Sequence, residues 1–360
     1  MTKQTRLFLL GSVGILVVGL GTGLVAAYVG GFQNLNILGS SGPDELAYLP
    51  SNATVVAFAN VREIMDSELH QKLRAMAPRN GNGMARFEEE TGVDVTRDVD
   101  YVLAAIGGDA SDTTAGGTTT GAANQGHPLV IARGRFDTVR IEGLVRSKGG
   151  TVEDYKGVRL LGVAEPTGAM DAALAFVEPG LIAMGARDAV RRAIDARQGG
   201  VASAAGNEEL VRLVKESDDG NAWVVARFDA LSAAGHVPSD VLKRLPNINW
   251  ITVTGHVNGG LRAAVRAEAR DEVAAKNLRD VLEGLLALAK LQSGQQTELA
   301  TLVNSIQLGG EGKNVSLGLS VPIEVVDRLA SLSAPGRLPP APPDAPAPPD
   351  APAPPPVTAP

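Results

Sequence analysis

From Leu7 to Pro43 the chain carries no charged residue, and the run Leu7 to Phe32 (LFLLGSVGILVVGLGTGLVAAYVGGF) is apolar almost throughout. A helix crosses a hydrocarbon core of roughly 30 Å with about 20 such residues, because it rises only ~1.5 Å per residue. The stretch therefore predicts a transmembrane helix over residues 7–30, preceded by a short N-terminus, 1–6, and followed by an uncharged linker, 31–44. Lys3 and Arg6 stand before the span, whereas the first charges after it are Asp44 and Glu45. Positive charge stays on the cytoplasmic side, so the N-terminus is expected inside and the body outside, periplasmic or extracellular. The competing reading is a cleaved signal peptide with Val25-Ala26-Ala27 near its cleavage site. Its apolar core would normally end within about 15 residues, and this one runs on through Val29.

Inside the predicted span, Gly19, Gly23 and Ala27 recur every four residues, with Gly31 continuing the series. Small side chains on one helix face let two backbones approach, so a transmembrane contact between copies, and hence a homo-oligomer, is one reading. The other is that glycine is simply commoner in membrane helices. The string Gly19-Leu20-Gly21-Thr22-Gly23 lacks the preceding strand that a dinucleotide loop requires.

Composition then narrows the chemistry of the body. The formal charge is −7 with no clustered basic face, which disfavours nucleic acid as a partner. There is no cysteine, which removes disulfides, thiolate catalysis and cysteine-bound metal. The four histidines, His70, His127, His236 and His256, are far apart and lack metal-ligand spacing. No nucleophile elbow or phosphate-binding loop occurs. The acidic runs Glu88-Glu89-Glu90 and Asp218-Asp219 read as a solvated helix face and a turn, and the alternating charges of Arg187, Asp188, Arg191, Arg192, Asp195 and Arg197 as a solvated face. No catalytic residue, metal or cofactor is expected, and an enzyme is the less favoured class.

The body itself reads as two copies of one α+β pattern, residues 45–200 and 201–332. Thr54 to Ala59 and Trp223 to Phe228 are apolar strands, followed by Asn60 and Asp229 in position to cap helices, the first carrying Met65, Leu69, Leu73 and Met76 on one face. Two further strands follow in each copy, Asp100–Ile106 with His127–Phe136 and Asn249–Val257 with Gly260–Ala269. Helices then open at Asp137, burying Ile141, Leu144 and Val145, and at Asp271, with the stripe Ala274, Leu278, Val281, Leu282, Leu285 and Leu288. Each copy closes with strands and a return helix: Val158–Val163, Leu174–Met184 and Arg187–Arg197, against Ser305–Gly310, Val315–Val321 and Ile323–Leu332. The expected fold is two tandem repeats, each a mainly antiparallel sheet covered by helices, related to the split-βαβ or ferredoxin-like arrangement.

Two stretches fall outside that pattern. Residues 107–126 (GGDASDTTAGGTTTGAANQG) predict a mobile loop between strands. Residues 333–360 hold 13 of the 22 prolines and predict a disordered, polyproline-II-rich tail, read as a spacer or as a ligand for a proline-binding groove.

The segments ALAFVEPGLIAMGARDAVRRAIDA, from Ala173, and EARDEVAAKNLRDVLEGLLALAKLQ, from Glu268, resemble segments of membrane-anchored bacterial proteins with no assigned activity. That resemblance covers nearly all of the body and implies location and fold, not chemistry. The function expected is a membrane-tethered, extracytoplasmic binding or scaffold protein of the bacterial cell envelope. Its partners would be the bilayer, through residues 7–30, and an envelope protein or ligand. An extracytoplasmic enzyme with a site between the repeats, or a subunit of a larger membrane assembly, are the alternatives.

Overall fold

The computed structural model describes residues 42–76, 88–89, 91–107, 127–163, 171–233, 246–293 and 297–324. The expected transmembrane helix with its Gly19, Gly23 and Ala27 contact, the interior of the 107–126 loop and the proline-rich tail lie outside the described residues. Among the described residues no helix is long and apolar enough to cross a membrane.

The fold is α+β, built on one antiparallel sheet. Its strands are β1 (Ala53–Ala59), β2 (Val99–Gly107), β3 (His127–Gly134), β4 (Thr151–Tyr155), β5 (Val158–Val163), β6 (Ala172–Glu178), β7 (Leu181–Ala186), β8 (Ala222–Arg227), β9 (Ile248–His256), β10 (Gly260–Ala269), β11 (Gln307–Gly309) and β12 (Asn314–Pro322). They lie in the order β11-β12-β10-β9-β8-β1-β2-β3-β7-β6-β5-β4. The helices are α1 (Val61–Asp66), α2 (Glu68–Met76), α3 (Val95–Asp98), α4 (Thr138–Ser147), α5 (Arg187–Arg197), α6 (Glu208–Lys215), α7 (Phe228–Ala233), α8 (Glu272–Ser293) and α9 (Thr297–Asn304).

The middle of the sheet explains the rest. Both β1 (ATVVAFA) and β8 (AWVVAR) are apolar through their middles, Val55–Phe58 and Trp223–Ala226, which suits strands buried on both faces. They pair antiparallel, with Val56 opposite Val225 and Phe58 opposite Trp223. Val56, Phe58, Trp223 and Val225 point to one face, where Phe58 and Trp223 stack with ring centroids 5.5 Å apart. Val55, Ala57, Val224 and Ala226 point to the other, where Leu231 of α7 covers them. Helices are therefore needed on both sides of the sheet.

Strand register places each helix. Arg191 of α5 bonds Glu153 of β4, and Arg212 of α6 bonds Glu268 of β10, which puts both helices on the Phe58–Trp223 face. Glu142 of α4 bonds Arg159 of β5, and Leu278 of α8 packs with Val315 of β12, which puts α4 and α8 together on the opposite face. Asp137 and Asp271 cap α4 and α8, accepting from the backbone N–H of Arg140 and Ala274. The sheet edges are blunted: β11 has three residues, and β4 carries Glu153 and Asp154.

Several expectations need correction. There is one continuous sheet, not two, and every pair of neighbouring strands is antiparallel, so the crossover between parallel strands that defines a split-βαβ unit does not occur among them. The doubly apolar β1 and β8 bury each other instead of forming separate centres. The stretch Leu174–Met184 is two strands, because Pro179-Gly180 turns the chain, with Gly180 at φ +71°. The helix after Asn60 breaks at Ser67, whose hydroxyl accepts from His70 N–H. β4 and α6 are present where no element was expected. The α8 stripe is buried only at its start: Ala274 and Leu278 are buried, but Leu285 and Leu288 are 54% and 50% exposed. Likewise Leu144 and Val145 of α4 are half-buried, and only Ile141 is fully covered.

These burials set an expected stability pattern. Leu278→Ala should lower the urea midpoint by the equivalent of about 2–5 kcal/mol through lost contacts and a cavity. Lys276→Ala, on the wet side of α8, should leave the midpoint where it is, as measured by urea titration of circular dichroism.

Candidate functional site

The first described residues form a strap rather than a loose linker. Gly42–Glu45 makes one helical turn and Leu46–Tyr48 a 3-10 turn, and Leu46 and Leu49 are buried in the core of the Phe58–Trp223 face. The carbonyl of Leu49 accepts from Ala204 N–H at 2.9 Å, and Pro50 bridges Ser203. The strap thus joins the layer formed by α5 and α6.

Polar groups beneath it form a charged network around one buried carboxylate. Glu45 is only 2% exposed, which is costly for a carboxylate without a partner. Its Oε1 accepts from the Tyr101 hydroxyl and from Arg133 Nη2 at 3.0 Å. Arg133 Nε also donates to the Tyr101 oxygen at 2.7 Å, and the guanidinium lies 5.8 Å from the Tyr101 ring centroid. Tyr48 repeats the device one turn on. Its hydroxyl donates to Glu178 Oε1 at 2.7 Å, Arg197 Nη2 donates to the same oxygen at 3.2 Å, and Arg197 sits over the Tyr48 ring. Arg133 links the halves through Glu178 at 3.7 Å. Strap, β2, β3, β6 and α5 are thereby joined by one network.

Burial and the hydrogen bond to Glu178 push the Tyr48 phenol up to about 12, and burial with the bond to Glu45 pushes Tyr101 up as well. Glu178 moves the other way: the Tyr48 hydroxyl and the Arg197 guanidinium hold its carboxyl below the usual range. Raised phenols beside a lowered Glu178 carboxyl make a staple, not an acid–base pair poised near neutrality.

Sequence reasoning did not single out Tyr48, Tyr101, Arg133 or Glu178, named Glu45 only as one of the first charges after the apolar run, and read Arg197 as part of a solvated face. One signal was available: Arg133 occupies the same face of β3 as Leu129 and Ile131, a charge on an otherwise apolar stripe. The charged helix α5, read as a solvated face, turns out to be bonded down. Arg187 and Arg191 reach Glu153 at 3.3 and 2.8 Å, Arg187 reaches Asp171, and Asp195 takes Lys156 and the Tyr155 hydroxyl. The turn ending at Asn221 is structural too: Asn221 accepts from Val257 N–H at 2.8 Å and donates to Glu63. Of the histidines, His70 and His256 each meet a backbone carbonyl, those of Met65 and Asp219, in separate places. Among the described residues no three His, Asp or Glu side chains are grouped to hold a metal ion.

Two outcomes follow from the clamp. Arg133→Ala leaves Glu45 buried without its cation and should cost on the order of 3 kcal/mol in urea unfolding, the low end for such pairs because Arg133 is partly exposed. The raised phenols bind their protons more tightly folded than unfolded, so their contribution is complete below about pH 10 and is lost as pH rises through 12. Phenolate absorbance of the native chain should lag that of the urea-unfolded chain across this window, and Tyr48→Phe should shrink the lag.

Comparison with known proteins assigns no family. No protein-family model and no curated protein matches the chain. Among solved structures, one titled "Structure of crystal form I of TP0453" is similar at 9% identity and a TM-score of 0.39, covering 82% of this chain and 99% of that one.

Proposed function

We propose that the chain is a membrane-tethered binding or scaffold protein of the bacterial cell envelope, held by residues 7–30 with its body outside the cytoplasm. The observation that carries this reading is the clamp on Glu45 and Tyr48. It captures the chain about a dozen residues after the apolar run, so the linker between them spans at most about 45 Å when fully extended. A folded body that begins with a stapled strap is suited to being held in one orientation close to a bilayer. The broad sheet, with the Glu45 and Glu178 carboxylates each bonded to a tyrosine and an arginine, is suited to presenting a surface rather than to turning over a substrate.

We further infer that the body arose as two copies. Val56 and Val225, which sequence alignment of the two opening strands makes equivalent, are partners across the seam, and Val55↔Ala226 is mirrored by Ala57↔Val224. Outward from the seam, one half runs β1-β2-β3-β7 and the other β8-β9-β10-β12. In both, a capped helix after the third strand lies on the same face.

The tether is tested by fractionation together with a reporter fused after Pro360. The full chain should stay with membranes through an alkaline carbonate wash, a chain starting at Gly42 should be released, and the reporter should be active only outside the cytoplasm. Release of the full chain, or reporter activity in the cytoplasm, would contradict the proposal.

A further inference from the structure

The outer half of α8, against which α9 packs, still leaves an apolar ridge exposed: Leu285, Leu288 and Leu291 are 54%, 50% and 81% exposed, while Ala274, Ala275 and Leu278 on the earlier turns are buried. Leucines spaced three apart on consecutive turns form one continuous apolar strip. The N-terminal part of α8 is fixed over one end of β12, because Arg279 Nη2 donates to the carbonyl of Asn314 at 3.1 Å and Leu278 packs with Val315. From Leu278 the helix advances about 20 Å to Leu291, and β12 needs roughly six residues to cover the same distance. The ridge therefore lies toward the other end of β12, where Pro322 pairs with Gly260.

That is also where the described chain ends, in the first helical residues Ile323 and Glu324. The sequence continues Ile323-Glu-Val-Val-Asp-Arg-Leu-Ala-Ser-Leu332, with Ile323, Val326 and Leu329 at helical spacing and Glu324, Asp327 and Arg328 off that line. We propose that this segment, residues 323–332, docks on the Leu285/Leu288/Leu291 ridge, so that the occupant of the exposed α8 face is the chain's own C-terminal segment. Two arguments favour it over a second copy. The segment starts beside the ridge, so docking is intramolecular and loses no translational freedom. The ridge offers roughly a few hundred Å² of apolar surface, whereas a stable dimer buries about 800 Å² on each partner.

The absence of cysteine makes the test direct. In the full-length chain, Leu288→Cys with Leu329→Cys should form a disulfide within one chain under mild oxidation, and Ala264→Cys with Leu329→Cys, on the opposite face of the sheet, should not. With Leu288→Cys alone, truncation after Glu324 should raise the alkylation rate at least tenfold, and truncation after Ala334 should leave it unchanged. A disulfide between chains through Leu288→Cys would make a second copy the occupant. A disulfide from Ala264→Cys, or equal alkylation rates with and without residues 325–360, would equally overturn the proposal.

Discussion

Two strands that are apolar on both faces can be satisfied only in the middle of a sheet covered on both sides, and the pairing of β1 with β8 is that middle. Neither strand has a polar side to turn toward water: Val56, Phe58, Trp223 and Val225 face one layer, and Val55, Ala57, Val224 and Ala226 the other. Once they pair, every later choice is constrained. The remaining strands extend outward by antiparallel neighbours, α4, α7 and α8 close one side, and α5, α6 and the strap close the other.

The strap matters because it belongs to that second layer rather than leading into it. Leu46 and Leu49 fill space beneath α5 and α6, and their burial carries Glu45 out of water with them. A carboxylate so placed is tolerated only with a cation and hydrogen-bond donors in place, and Arg133 and Tyr101 supply them. The functional consequence proposed here follows from that coupling: a tether ending in a buried, charge-matched staple orients the body, where a flexible linker would only confine it.

Much of this was legible in the residues. The apolar opening strands, the caps at Asn60, Asp137 and Asp271 and the bounds of α5 follow from local periodicity and capping chemistry, which act over a few residues. What was not legible depends on contacts distant in the chain. That β1 and β8 would share one sheet rests on a pairing more than 160 residues apart. The clamp joins Glu45 to Arg133 and Tyr48 to Glu178, and no spacing rule links such positions. The exposed end of α8 misleads for a related reason: a helical stripe shows which face is apolar, but not how far along the helix a partner extends.

The central claim, that the strap is part of the cooperative fold, is tested most directly by native-state hydrogen exchange at the Ala204 amide, which donates to the Leu49 carbonyl and so reports whether the strap is in place. If the account is right, this amide exchanges only through global unfolding, at the same free energy as the amides of β1 and β8. Exchange through a local opening, at much lower free energy than those strands, would show that the strap detaches on its own and would contradict a fixed orientation of the body on the proposed tether.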